Sequence, residues 1–356
     1  MGNSILPRER VELALSHMQP DRVPTDFWSV PEVITKLQKY FKVDTEEEVL
    51  SALQIDVREI NPVYIGPALR VMPDGSYYKH MGHHVRNVSN AFSTYEEYIS
   101  FPLAYANSVD DLRKYEYWPN PDNYDYENLV DRIGNLHDRY YIKLFSGGLF
   151  ELAWELRGLE QFYMDMVLNP EMVHFTMQKL TDFFVEYVKR TMQVAGEKYD
   201  AVYTYDDIAS QRALLVSKSM WSELIKPYHV QLGNTIKSFG KKVLYHSCGA
   251  IYDMLDELKE LPIDILNPIQ PLAVGMDIEK IKKNYGSRFT FHGGIDIQYL
   301  LPYGTKQEIV ESVGRTIDIL GKDGGYILTT AHNIQNDTSA ENIETMYTAA
   351  RNHKIT

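Results

Sequence analysis

Val243-Leu244-Tyr245-His246-Ser247-Cys248-Gly249 is typical of a buried β-strand that ends in a turn, because β-branched and aromatic residues run directly toward a glycine. Helical periodicity flanks this strand over residues 217–239 and 251–261. Two further apolar runs, residues 201–205 and 263–268, lie beyond those helices. The alternation of strand and helix predicts a parallel sheet that is covered by helices.

The same alternation extends over most of the chain. Other helical patterns cover residues 170–195, 277–285 and 305–320, and a capping-box pattern at Thr338 and Glu341 predicts the start of the last helix. Short β-rich runs predict eight strands, at residues 23–29, 57–65, 140–146, 201–205, 243–246, 263–268, 289–292 and 326–330. This order predicts an α/β protein with a closed (β/α)8 TIM barrel and an N-terminal helical extension, in a single domain over residues 1–356.

One segment, residues 66–139, breaks the alternation because it is too long for a single crossover helix. It contains a predicted hairpin at residues 77–88, which follows the turn residues Pro73-Asp74-Gly75. A polar, tyrosine-rich stretch follows at residues 115–126. We predict an insertion after strand two that lies over the barrel mouth and serves as a lid or as a subunit contact in a homodimer.

Composition excludes several classes of protein. The 356 residues carry a formal net charge of −13, which disfavours binding to nucleic acid or to an anionic membrane. The single cysteine excludes an internal disulfide and a cysteine-rich structural zinc site. The sequence has neither an apolar signal core at its start nor an apolar run long enough for a membrane helix. We therefore predict a cytoplasmic protein that acts on a small molecule.

Polar residues follow most of the predicted strands. In a TIM barrel the loops after the strands build the active site, so these residues are expected to converge. They are Glu151, Trp154 and Glu155 after strand three, Tyr205, Asp206 and Asp207 after strand four, His246 and Cys248 after strand five, Gln270 after strand six, Asp296 after strand seven, and His332 and Asn333 after strand eight.

His246 and Cys248 are candidate metal ligands, because residues i and i+2 of a strand point to the same side. Imidazole and thiolate are ligands that zinc prefers, and His332 would complete a set of three with an open fourth position. Other interpretations remain: Cys248 as a small buried apolar residue, His246 as a packed ring, or Cys248 as a nucleophile that His246 activates.

Four roles are open for the adjacent carboxylates Asp206 and Asp207. They could bind a metal, act as a general acid or base, bind the substrate, or cap a helix. Adjacent side chains point apart, so one could cap a helix while the other faces the site. The candidate catalytic residues are Asp206, Asp207 and Glu155. The candidate substrate-binding residues are Tyr205, Trp154, Gln270, Asp296 and Asn333.

His80, His83 and His84 form a rival metal cluster in the predicted hairpin. No carboxylate ligand lies near them in the sequence, so we predict a solvated hairpin face instead. The glycine pairs at residues 147–148, 293–294 and 324–325 lack the spacing of a nucleotide-binding loop, and we predict tight turns there.

The chain resembles the uroporphyrinogen decarboxylase superfamily over nearly its whole length. The matching stretches are Pro7-Arg8-Glu9-Arg10-Val11, Pro20-Asp21-Arg22-Val23-Pro24, His246-Ser247-Cys248-Gly249, Gly293-Gly294-Ile295-Asp296 and His332-Asn333-Ile334-Gln335-Asn336-Asp337. The superfamily contains cofactor-free porphyrinogen decarboxylases and zinc methyltransferases that move methyl groups between corrinoid proteins and a thiol or similar acceptor.

The resemblance is closer to the methyltransferase branch. The decarboxylases carry an Arg-Gln-Ala-Gly-Arg motif after strand one, where this chain has Asp26-Phe27-Trp28-Ser29-Val30-Pro31-Glu32, without arginine. The methyltransferases carry a His-x-Cys pair after strand five, which His246 and Cys248 match, and a further Cys after strand eight, where this chain has His332. The resemblance thus implies zinc, and a corrinoid that a partner protein supplies.

Three functions are therefore weighed. The first is a zinc-dependent methyltransferase that acts on a corrinoid or a methylated small molecule. The second is a cofactor-free decarboxylase of a porphyrinogen or other carboxylated substrate. The third is a non-catalytic barrel that binds a ligand.

Overall fold

The computed structural model describes residues 5–90 and 94–354. The strands in these ranges are β1 (Val57–Glu59), β2 (Val63–Tyr64), β3 (Arg70–Val71), β4 (Tyr77–Tyr78), β5 (His84–Ser89), β6 (Thr94–Ser100), β7 (Tyr124–Asp125), β8 (Tyr141–Gly148), β9 (Ala201–Tyr205), β10 (Lys242–His246), β11 (Ile265–Ile269), β12 (Thr290–Ile295) and β13 (Tyr326–Thr330).

The helices lie mainly before β1 and between the strands from β8 onward. They are α1 (Pro7–Leu15), α2 (Pro31–Phe41), α3 (Glu46–Ala52), α4 (Val109–Arg113), α5 (Leu129–Ile133), α6 (Phe150–Arg157), α7 (Leu159–Leu168), α8 (Pro170–Ala195), α9 (Lys218–Leu224), α10 (Lys226–Ser238), α11 (Leu255–Leu258), α12 (Ile278–Tyr285), α13 (Leu300–Tyr303), α14 (Lys306–Leu320) and α15 (Ala340–Asn352).

The main sheet is curled and consists of seven parallel strands in the order β1-β8-β9-β10-β11-β12-β13. Helices follow these strands, so the fold is α/β and resembles a TIM barrel. A separate apolar cluster lies inside the curl and combines inward side chains of six of the strands with Val11 of α1. Its members are Val11, Val57, Tyr141, Ala201, Leu244, Ile265 and Ile327. The larger core lies between the sheet and its surrounding helices.

Residues 23–29, the first of the eight predicted strands, lie between the two edges of this sheet. Asp26 N donates to Leu328 O at 3.0 Å, and Leu328 N donates to Pro24 O at 2.8 Å. On the other side, Asp56 N donates to Thr25 O at 3.0 Å. The segment makes isolated bridges rather than a continuous ladder. One reason is that Pro24 has no N–H to donate.

Proline also explains a second difference from the predicted strands. The run predicted as one strand over residues 57–65 is divided by Pro62 into β1, which belongs to the main sheet, and β2, which pairs antiparallel with β7.

The last helix begins later than the capping-box pattern indicates. Ser339 caps α15 by accepting from Asn342 N, so the prediction of Thr338 as its cap is wrong.

The inserted region contains more sheet than the predicted hairpin. β3, β4, β5 and β6 form a four-stranded antiparallel sheet, and residues 73–75 make the turn between its first two strands. His83, which was predicted on a solvated face, has only 1% of its surface exposed.

None of the helices in the described ranges combines the length and apolar character needed to cross a membrane.

Candidate active site

The structure brings His246, Cys248 and His332 together. His246 is the last residue of β10, Cys248 follows two residues later, and His332 follows the end of β13. The imidazole Nε2 of His246 lies 3.3 Å from the Sγ of Cys248. One potential ligand atom from each of the three side chains lies within 4.8 Å of the other two. Two imidazoles and one thiol make a donor set that suits zinc and leaves one coordination position open.

A chain of hydrogen bonds fixes which nitrogen of His246 faces Cys248. The Nδ1–H of His246 donates to Oδ1 of Asn267 at 2.5 Å, since that amide oxygen can only accept. Asn267 Nδ2 in turn donates to Nδ1 of His292 at 2.6 Å. The Nε2 of His246 therefore carries a free lone pair toward the cysteine, as a metal ligand requires.

The same series of hydrogen bonds ends at a buried ion pair between Asp26 and Lys143. His292 Nε2 donates to Oδ2 of Asp26 at 3.1 Å, and Lys143 Nζ donates to the same oxygen at 2.6 Å. Burial alone would raise the pKa of Asp26, but the charge of Lys143 and the hydrogen bond from His292 hold that pKa well below its ordinary range. Asp26 is thus a permanent anion that orients His292.

Cys248 is buried in surroundings that disfavour its thiolate. Burial and the nearby carboxylates of Asp207 and Glu151 raise the pKa of its thiol well above the ordinary range. One polar contact favours the sulfur as an acceptor, because Gln270 Nε2 donates to Sγ at 3.2 Å. A metal cation would offset the negative surroundings, whereas Cys248 alone is poorly suited to act as a nucleophile.

The two adjacent aspartates have different environments. Asp206 is fully buried and accepts from the backbone N–H groups of Phe150 and Glu151, both at 2.8 Å, and from His229. These bonds cap the start of α6, which gives Asp206 a structural role, and its catalytic role stays a prediction. Asp207 instead lies 3.5 Å from Nε2 of His246 and accepts from Cys248 N at 2.8 Å.

Glu151, which is not among the predicted catalytic residues, lines a cavity at this end of the sheet. Burial, together with the charges of Asp207 and Asp206, raises the pKa of its carboxyl to about 8. Glu151 therefore carries a proton at neutral pH and can donate it. Its position one turn before Glu155 on α6 was the available signal, because i and i+4 residues share one face of a helix.

An open cavity of about 930 Å³ lies at this end of the sheet, and we call it the mouth cavity. Trp28 lines it and stacks on His246, with ring centroids 5.8 Å apart and planes inclined by 16°. Six of the described lining residues are acidic, namely Asp26, Glu46, Glu47, Glu59, Glu151 and Asp207. The two cationic ones, Arg58 and Lys143, are paired with Glu47 and Asp26.

The other predicted site residues divide between the site and its surroundings. Tyr205 and Asn333 line the mouth cavity, and Gln270 contacts Cys248. Asp296 accepts from three backbone N–H groups at residues 298–300. Glu155 is half-buried beside Tyr98 of the inserted sheet, where burial raises its pKa. Trp154 packs against the main core.

The rival histidines do not form a comparable group in the part of the chain that the structure describes. His84 Nε2 bonds to the hydroxyl of Ser76 at 2.8 Å, and His80 stacks on Tyr64 with centroids 3.6 Å apart. The group at His246, Cys248 and His332 is the one set of three potential ligands found within the described residues.

The sequence model of the uroporphyrinogen decarboxylase family matches residues 95–353, which is more than two thirds of the chain. The chain belongs to this family. The matched region includes β8 to β13 and therefore every strand that supplies the three candidate ligands. No protein in a search of curated sequences matches the chain.

Among solved structures, this family member is similar in fold to a methyltransferase from Methanosarcina mazei. The two chains share 15% sequence identity and superpose with a TM-score of 0.66, over 97% of this chain and 98% of the other. A sugar phosphate isomerase/epimerase from Parabacteroides distasonis shares 12% identity, with a TM-score of 0.39 over 93% of this chain and 96% of the other. At such identities the first likeness shows the fold alone.

Proposed function

We propose that the chain is a zinc-dependent methyltransferase, which moves a methyl group between a corrinoid or methylated small molecule and a thiol or similar acceptor. The observation that carries this proposal is the convergence of His246, Cys248 and His332, whose potential ligand atoms lie within 4.8 Å of one another. These three side chains would hold the zinc ion. When bound, zinc would lower the pKa of an incoming thiol and so make it nucleophilic near neutral pH.

The protein's own residues supply orientation and protons. Asn267 keeps Nε2 of His246 directed toward the cysteine, at 3.3 Å from its sulfur. Trp28 covers one face of the His246 ring and limits how a substrate can approach it. The protonated carboxyl of Glu151, whose pKa is about 8, is available to donate to a leaving group at the mouth cavity.

The charge of the mouth cavity favours this function over decarboxylation of a porphyrinogen. A substrate with many carboxylates needs free cationic partners. Among the described residues that line the cavity, both cations are already paired with acidic side chains. The acidic lining would repel such a substrate, whereas it tolerates a neutral or cationic one.

A separate corrinoid protein is the proposed partner. The mouth cavity is open to solvent and holds about 930 Å³, so a methyl donor carried by another protein could reach His246 and His332, which line it. This part of the proposal comes from the resemblance to the methyltransferase branch.

Metal analysis of the purified full-length protein tests the proposal. We expect about one zinc ion per chain, lost in Cys248→Ser and in His246→Ala. It should be retained in His353→Gln, where the changed histidine pairs with Asp318 near the C-terminus. Wild-type protein should also convert methylcobalamin and 2-mercaptoethanol to the methyl thioether and cob(I)alamin, with the thiol proton released.

Two results would overturn the assignment. One is the absence of stoichiometric zinc from wild-type protein that circular dichroism shows to be folded. The other is release of carbon dioxide from uroporphyrinogen that a chelator does not diminish, which would support the decarboxylase instead.

A further inference from the structure

A second cavity of about 370 Å³ lies beside the mouth cavity, between β8, α8 and the inserted region. Eight of its nineteen described lining residues are aromatic. The aromatic side chains that line it are Tyr64, Trp118, Tyr124, Phe145, Phe183, Phe184, Tyr187 and Tyr205. A concave space of this size with apolar walls and few polar groups is characteristic of small-molecule sites.

Two residues separate this second cavity from the candidate metal ligands. Phe145 and Tyr205 line both cavities. Their rings stack with centroids 5.7 Å apart and planes inclined by 17°. The ring of Tyr205 also lies edge-on to His246, with 6.5 Å between centroids. The second cavity therefore begins one aromatic ring away from the candidate zinc site.

Ser146 carries, in the wall of this cavity, a buried hydroxyl without a hydrogen-bond partner in the described part of the chain. The residue is 1% exposed and lines the cavity. Its hydroxyl has no hydrogen-bond partner among the described residues. A buried polar group without a partner is unfavourable, so such a group in a native protein calls for an explanation. A ligand that bonds to this hydroxyl provides one.

The charge of the second cavity differs from that of the mouth cavity. Lys79 is the one lining residue with a permanent charge in the described part of the chain, and it is paired with Glu96 at 2.7 Å. His80 lies against Tyr64, and burial lowers the pKa of its ring, which favours the neutral form. A neutral ligand is therefore expected here, whereas the mouth cavity is acidic.

We propose that the second cavity binds a planar, neutral aromatic group of the substrate that carries one hydrogen-bonding substituent, which pairs with the hydroxyl of Ser146 once that side chain has rotated toward the cavity. Aromatic walls favour an aromatic ligand because stacked and edge-to-face contacts add to the burial of apolar surface. The identification of this group as part of a methyl-transfer substrate rests on the proposed function, but the binding itself does not.

Binding of 2-naphthol to the full-length protein, measured by isothermal titration calorimetry, tests the proposal. The control ligand is decahydro-2-naphthol, which has the same hydroxyl on a saturated, non-planar body. We expect 2-naphthol to bind about tenfold more tightly or better. Leu152→Phe, which fills the second cavity, should abolish the binding, whereas Leu159→Phe at an exposed position of α7 should not.

The hydroxyl is tested by Ser146→Ala, which we expect to weaken 2-naphthol about five- to tenfold. Ser238→Ala, at the exposed end of α10, is the matched control. A role of Ser146 in folding alone would change the melting temperature and leave the affinity for 2-naphthol unaltered. Equal affinity for the two ligands, no saturable binding, or full affinity in Leu152→Phe or Ser146→Ala would each overturn the proposal.

Repeating the titration after zinc has been removed with a chelator separates the two proposals. If the protein binds 2-naphthol more tightly than decahydro-2-naphthol but shows no zinc-dependent methyl transfer, the aromatic site is supported and the proposed reaction is refuted. Stoichiometric zinc and methyl transfer, without binding of 2-naphthol, would refute the aromatic site and leave the reaction standing.

Discussion

Asn267 determines which ring nitrogen of His246 carries the proton. Its amide is the link between His246 and His292, with contacts of 2.5 and 2.6 Å to the two rings. An amide can accept with its oxygen and donate with its nitrogen at once, so one side chain fixes the tautomers of both rings. The remaining nitrogen of His292 then donates to Asp26, a carboxylate that burial does not neutralise.

We expect Asn267→Leu to weaken zinc binding by about 10- to 100-fold, because the leucine removes the acceptor that orients His246. Asn267→Asp should retain most of the affinity, since a carboxylate oxygen still accepts from Nδ1 of His246. Competition with a chromophoric zinc chelator measures both constants. Equal affinity of Asn267→Leu and the wild type would show that the ring needs no such orientation.

The candidate ligand residues could be predicted from the sequence, and their surroundings could not. His246 and Cys248 have a spacing that brings them to one side of a strand end, whatever the rest of the chain does. The separation of Asp206 from Asp207 depends instead on where α6 begins and on His229, which are tertiary contacts. The same holds for Glu151, whose raised pKa depends on burial and on its acidic neighbours.

At the level of elements, the strands with uninterrupted apolar runs were predicted well. β9 and β13 have the predicted bounds. The runs that contain Pro24 or Pro62 were predicted as regular strands, yet each lacks one backbone donor and is interrupted there. The inserted sheet was underestimated, because β3 and β6 have exposed surfaces and little of the alternation that identifies a strand.

The inserted sheet contains a histidine that makes its stability depend on pH. His83 lies in the turn between β4 and β5, and burial lowers its pKa from 6.5 to about 4. The unfolded chain therefore takes up a proton near pH 6.5, while the folded chain stays neutral until about pH 4. The contribution of neutral His83 to the free energy of unfolding is therefore complete above pH 6.5 and is lost as the pH falls from 6.5 to about 4.

We expect this loss to reach up to about 3 kcal/mol in the free energy of unfolding, and to be absent in His83→Phe. Urea denaturation at a series of pH values measures this loss, with His353→Gln as the control for a histidine that is only partly buried. Parallel pH profiles for wild type and His83→Phe would contradict the assignment of the effect to His83.

For the whole molecule, Asp56 joins the N-terminal region to the main sheet. It is fully buried and accepts from Arg10 at 2.7 Å, from Arg22 at 2.8 and 2.9 Å, and from Thr25 N at 2.8 Å. Arg10 and Arg22 belong to two of the stretches that carry the family resemblance. Their contact with Asp56 gives those two stretches a structural role, because it holds residues 22–25 beside β1.

We expect Asp56→Asn to lower the free energy of unfolding by about 3–5 kcal/mol, because it leaves the partly buried Arg22 without its charged partner and the buried Arg10 paired with Asp21 alone. Asp110→Asn, which breaks an exposed pair with Arg113, should change it by less than about 1 kcal/mol. Chemical denaturation of both variants measures the difference. A small effect of Asp56→Asn would show that residues 22–25 are held chiefly by other contacts.

The segment at residues 23–29 also sets the order of events while the chain is being synthesised. Asp26 contacts His292, 266 positions later, and its carbonyl accepts from Tyr347, 321 positions later. A ribosome must therefore release nearly the entire polypeptide before this segment can contact both His292 and Tyr347. Zinc fingers fold around their ion within a short stretch of sequence. Here a metal would be acquired only after translation is almost complete, so a chain truncated before β13 would emerge without a place for it.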